Sequence, residues 1–165
     1  MNSIDLIRDN LRKSREIALA RIEDMREHGT VFPTPNGGAH TLWLLGHLAY
    51  IEGLVISEFL CGEQNPLATW KELFDGDDVS ADIRAFPPFD EVLSTCHTMR
   101  ESTLELLDSL TEADLDGPSA ACPEGFDDCF GTARQCFQYV ADHWYMHRGQ
   151  LADARRAAGL DRMWV

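Results

Sequence analysis

The chain has 165 residues, 44% of them hydrophobic and 25% charged, with 28 Asp and Glu against 14 Lys and Arg for a net charge of -14. This length suits a single domain, read here as residues 1–165, and the composition is ordinary globular usage rather than that of a disordered chain. Such an acidic balance repels a phosphate backbone, so neither nucleic acid nor an anionic membrane surface is expected as a partner.

The first ten residues carry charge throughout and lack the apolar core of a signal peptide. No stretch is expected to reach the roughly 20 apolar residues of a membrane span, and a cytoplasmic protein is expected. Five cysteines, Cys61, Cys96, Cys122, Cys129 and Cys136, are odd in number and lack a zinc spacing, which fits buried thiols in a reducing compartment. A labile Cys122–Cys129 disulfide is the lesser alternative.

Ile4, Ile7, Leu11, Ala18, Ile22 and Met25 recur at three- and four-residue steps among charged residues, predicting an amphipathic helix that ends near Gly29. Two prolines and two glycines between Thr30 and Gly38 then make a loop. From His40 to Cys61 the chain is apolar on most sides, which predicts a central or interface helix stopped by Gly62. Residues 62–88 form a long connection with a helical turn near Trp70–Phe74. Its carboxylates Asp75, Asp77 and Asp78 miss the calcium-loop spacing and read as a solvated acidic loop. A third helix is predicted from Phe89 to Leu110 and a fourth from Thr132 to Ala158, capped by Gly159. Four long helices with one long crossover between the second and third describe an all-α four-helix bundle.

His143 and His147 lie one turn apart on the fourth helix and can converge on one ion. His47 sits in the most apolar helix, where an imidazole without a partner is costly to bury. Taken alone, it also reads as a core histidine bonded to a neighbouring carbonyl or hydroxyl. Residue 144 is Trp where a zincin has its Glu, no histidine is preceded at three residues by Glu, and no Cys-x-x-Cys occurs. A mononuclear three-histidine site survives, and three ligands with one open position is how catalytic zinc is presented. His40, about 10 Å from His47 along the helix, can line a pocket without sharing the ion. His28 and His97 read as surface residues. Gln150, one turn after His147, is a candidate hydrogen-bonding partner in the metal pocket. Asp142 and Arg148 are weaker candidates, as an orienting carboxylate and a substrate-facing cation, and both also read as solvated helix charges. Cys136, on the His143 face, reads as a buried structural thiol.

The stretches Thr-Leu-Trp-Leu-Leu-Gly-His-Leu-Ala-Tyr-Ile-Glu and Asp-His-Trp-Tyr-Met-His-Arg-Gly-Gln-Leu resemble the second-helix and last-helix histidine motifs of the DinB-like superfamily, YfiT-type group. The helix layout agrees over about residues 3–160. The resemblance implies an up-down-down-up bundle, a zinc or nickel ion on His47, His143 and His147, and a homodimer. It further implies a metal-dependent hydrolase or thiol S-transferase, in which the ion activates a low-molecular-weight thiol or water toward a small-molecule substrate. The competing expectations are a non-catalytic metal- or ligand-binding stress-response bundle and a purely structural oligomer.

Overall fold

The computed structural model describes residues 2–76, 79, 82–161 and 163. Among these, six α-helices and no strand form a helical bundle: α1 (Ser3–Asp24), α2 (Thr41–Gly53), α3 (Lys71–Phe74), α4 (Phe89–Ser109), α5 (Asp127–Phe130) and α6 (Ala133–Ala157). The four long helices match the four predicted from apolar periodicity. The short α5 and a 3-10 turn at Asp114–Asp116 lie in what reads as loop, because four residues are too few to show a period.

The ends are set by local chemistry. Asn2 caps α1 by accepting from the Asp5 amide at 2.8 Å, and Thr132 caps α6 by accepting from the Gln135 amide at 3.3 Å. Gly62 and Gly159 follow α2 and α6 with φ of 70° and 75°, a left-handed conformation that glycine adopts without a side-chain clash. α1 packs most extensively on α6, and α2 on α4. Ile7, Leu11, Ala18 and Ile22 meet Phe137, Val140, Trp144 and Leu151 in one core, where each large apolar side chain contributes ~1.5–3 kcal/mol.

The last turns of α2 widen into a π-helix, Leu54–Leu60. The side chain of Asn65 lies against Gly53, donates to the Tyr50 carbonyl at 3.2 Å and accepts from the Leu67 amide at 2.9 Å, binding the crossover to the point where the helix widens. The expectation that no stretch approaches a membrane span needs correcting here. Thr41–Leu60 is long and apolar enough by length and composition, with a mean hydropathy of 1.3, but 67% of it is buried inside the bundle. A helix covered by protein on most sides has the same composition as one covered by lipid.

His40 lies in the core. It is fully buried between the rings of Phe32 and Phe86, with centroids at 5.3 and 5.0 Å, and its Nδ1 accepts from the Trp43 amide at 3.0 Å, capping α2. Burial pushes this ring down to about 4, against about 6.5 in an unfolded chain. Between those values the unfolded chain binds the extra proton, so stability falls as pH drops from about 6.5 toward 4, by up to ~3 kcal/mol for this ring. His40→Asn keeps a capping acceptor and removes the titration. Urea midpoints at pH 7 and pH 5 are expected to lie closer together in the variant than in the parent chain.

Of the acidic-loop residues, Asp75 is an exposed residue closing α3, while Asp77 and Asp78 lie outside the described residues. His97 is not a surface residue: it is half-buried, with Nδ1 2.8 Å from Arg15 Nη2. All five cysteines are free thiols.

Candidate metal centre

His47 from α2 and His143 and His147 from α6 meet at one point. Their ring centroids are 5.0, 5.0 and 4.5 Å apart, and one nitrogen from each ring lies within 4.8 Å of the other two. The His143 and His147 Nε2 atoms are 2.9 Å apart. Tetrahedral coordination at ~2.1 Å separates ligand nitrogens by ~3.4 Å, so ring shifts on the order of 1 Å bring this set onto a zinc-like ion.

His47 is bonded to a neighbouring carbonyl, as a core histidine would be, and still lies within the three-histidine cluster. Its Nδ1 lies 2.7 Å from the Phe74 carbonyl oxygen. A carbonyl only accepts, so Nδ1 carries the proton and Nε2 keeps its lone pair for the cluster. Gln150 Oε1 does the same for His147 Nδ1. Carbonyl acceptors behind metal-binding imidazoles set the tautomer and ring orientation. Aromatic rings hold these histidines further: Trp43 stacks on His47 at 4.5 Å and 11°, and Tyr139 on His143 at 5.7 Å and 16°. Each stands four residues before its histidine, on the same helix face.

Phe74 reaches His47 because residue 46 is glycine. The fully buried Phe74 ring lies directly over Gly46, where a methyl group would fall inside the ring. Gly46→Ala therefore drives Phe74 off α2 and takes the acceptor of His47 Nδ1 with it. The expected result is a loss of ~1–3 kcal/mol from overpacking, seen in urea melts, with metal affinity lowered about 10-fold or more.

Burial favours the neutral form of all three rings. Burial pushes His47 down to about 4 and His143, with the further effect of the other two rings, down to about 2. Burial lowers His147 as well, opposed by its bond to Gln150. Neutral imidazole is the metal-binding form.

The remaining candidates divide. Gln150 is at the site. Asp142 is exposed and accepts from Gln138 Nε2 at 2.9 Å, and it is not among the residues of the cluster. The Arg148 guanidinium lies 5.6 Å over the Tyr145 ring. Cys136 is buried between Ser119 Oγ at 3.4 Å and the Phe130 carbonyl at 3.5 Å, in a structural role. Gln150→Ala is expected to weaken metal binding ~10–100-fold in a chelator competition, whereas Asp142→Ala leaves it unchanged.

Phe74, Trp43 and Tyr139 were not identified as supports from the sequence. The aromatic residue four before each of His47 and His143 was a readable signal; the Phe74 carbonyl, 27 residues away, was not. Beside Gln150 a cleft of about 610 Å³ opens between the loop at Pro33–Ala39 and the last turns of α6.

The sequence matches the DinB superfamily over residues 10–151, and the chain belongs to that superfamily, whose members typically bind a metal. It is also similar to a solved structure described as a conserved protein from Enterococcus faecalis, with 18% identity and a TM-score of 0.65 over 96% of this chain and 99% of that one. At that identity the likeness concerns the fold alone. No curated protein matches the chain.

Proposed function

We propose that this chain is a metal-dependent enzyme in which His47, His143 and His147 hold a zinc or nickel ion and activate a low-molecular-weight thiol, or water, for transfer to or hydrolysis of a small molecule. The observation that carries this reading is the convergence of three neutral imidazole nitrogens from two helices, with partners fixing the proton on the far nitrogen of His47 and of His147. A divalent ion there supplies Lewis acidity that makes a thiol or a water nucleophilic at neutral pH. Three protein donors leave a coordination position for substrate, unlike a closed structural site.

In this reading the four long helices run up-down-down-up, with residues 62–88 as the crossover. The protein works as a cytoplasmic homodimer, and its acidic surface keeps nucleic acid away. Elemental analysis of the purified protein is expected to find one zinc or nickel per chain. A screen of small thiols against electrophiles would then identify the reaction. Folded protein that takes up neither metal would overturn the proposal.

A further inference from the structure

The thiols of Cys122 and Cys129 have no part in the metal centre, yet the fold brings them together. They lie in a loop, residues 118–132, that is closed at its neck. There Pro118 and Thr132 form an antiparallel bridge, and the Ser119 amide donates to the Gly131 carbonyl at 3.0 Å. Counting outward from Ser119 and Gly131, Cys122 is three residues along one arm and Cys129 two residues along the other. At the tip the Phe126 amide donates to the Pro123 carbonyl at 3.1 Å, with Gly125 at φ 81°, a tight turn that reverses the chain. Cys129 then stands one helical turn beyond Phe126, its amide donating to the Phe126 carbonyl at 2.9 Å. Such a turn holds its first and last Cα atoms within ~7 Å, and three helical residues add a rise of only ~4.5 Å.

The thiols differ in how they are held. Cys96 and Cys136 are buried, and Cys136 is bonded to Ser119 and to the Phe130 carbonyl. Cys129 is exposed, and Cys122 is half-buried with a 3.6 Å contact to the Pro123 carbonyl. Burial pushes the Cys122 thiol up, and Asp127 and Cys129 are close enough to push it further. A thiol held up stays protonated at neutral pH, so the exposed Cys129 is the one that an oxidant meets first. Cys129 is also joined to the metal centre through its neighbour. Phe130 is buried and packs edge-on against Tyr139 at 4.7 Å, and Tyr139 in turn stacks on His143.

We propose that Cys122 and Cys129 are a redox-sensitive pair whose disulfide forms on exposure to a hydroperoxide, draws Phe130 away from Tyr139 and so loosens His143 in the metal centre. The effect on the metal rests on the function proposed above; the disulfide itself does not. The Cys129 thiolate attacks a hydroperoxide oxygen, the O–O bond breaks, and a sulfenic acid forms as water or an alcohol is released. The Cys122 sulfur then attacks the Cys129 sulfur and gives up its proton. The S–S bond forms, the S–O bond breaks, and the hydroxyl leaves as water. Two thiols lose two electrons, and the hydroperoxide takes them. A disulfide holds its Cα atoms ~4.4–6.8 Å apart, so closing the bond pulls α5 toward the opposite arm of the loop and carries Phe130 with it.

The test treats the full chain with hydrogen peroxide, digests it with trypsin and weighs the peptides. Cleavage after Arg100 and Arg134 yields residues 101–134 as one peptide, whose two cysteines are Cys122 and Cys129. This peptide is expected to become lighter by two hydrogens and to regain them with dithiothreitol. Cys122→Ser and Cys129→Ser each prevent the loss, whereas Cys61→Ser does not. On oxidation the ring resonances of His143 in the zinc-free chain are expected to shift. Zinc, where bound, is expected to be held about 10-fold more weakly in a chelator competition. Cys129→Ser removes both effects. A peptide that keeps both thiols, gains oxygen without losing hydrogens, or is cross-linked to Cys61 or Cys136 overturns the pair. A disulfide that leaves the His143 resonances unchanged overturns its link to the metal centre. A chain that takes up no zinc but shows both the disulfide and the shift counts against the proposed function alone.

Discussion

Replacing His143 with alanine is expected to remove zinc or nickel from the purified protein, from one ion per chain to background. His47→Ala and His147→Ala are expected to do the same. Loss of an outer acceptor costs ~10–100-fold in affinity, and loss of a ligand costs more, because two imidazoles cannot replace the third donor of an open site. The three rings come from α2 and α6, so a bound metal would also tie these helices together. At a free concentration 1,000 times its Kd, an ion binding only the folded chain adds ~4 kcal/mol. A chelator is therefore expected to lower the melting temperature of the parent chain and leave that of each variant unchanged. Circular dichroism should show the helices retained in all three, since the core is formed by apolar residues of four helices. A variant that keeps a full equivalent of metal would show that the ligand set is wrong.

Arg100→Met is expected to be the most destabilising single change in the core. Arg100 on α4 holds Glu52 on α2 through two hydrogen bonds of 2.7 and 2.8 Å, with side chains 4% and 1% exposed. The same guanidinium donates to the Leu11 carbonyl of α1 and lies 5.5 Å over the Trp144 ring of α6. One side chain thus joins all four long helices. Removing it leaves a buried carboxylate without its counter-charge, at a cost of ~3–5 kcal/mol. Urea unfolding should show a lower midpoint with unchanged slope. The double variant Glu52→Leu, Arg100→Met is expected to recover most of the loss, because an apolar pair of similar volume packs there without the desolvation penalty. If the double variant is as unstable as the single one, the cost comes from packing rather than from the unpaired charge.

Glu52 shows where sequence reading stopped. It lies within the apolar run of α2, and a charge in such a run implies a buried partner. Nothing in the pattern singles out Arg100, 48 residues on, among the 14 Lys and Arg. Gly46 is similar: a glycine inside a helix hints at a close approach, but that Phe74 is what approaches, bringing the acceptor for His47, depends on how the crossover folds back. His97 read as exposed because its neighbours in sequence are polar. Its surroundings are set by Arg15 of α1.

Periodicity and capping residues by themselves determined the presence of the four long helices, the ends of α4 and α6 to within a residue, and the pairing of His143 with His147, since each depends on contacts within about one turn of chain; α1 stops at Asp24, short of the expected Gly29. Tertiary structure alone decided that His47 meets that pair at one point, and that the Phe74 carbonyl and Arg100 take their places against α2. Those outcomes depend on how separate helices pack, and side chains brought together from distant points in the chain leave no spacing to read.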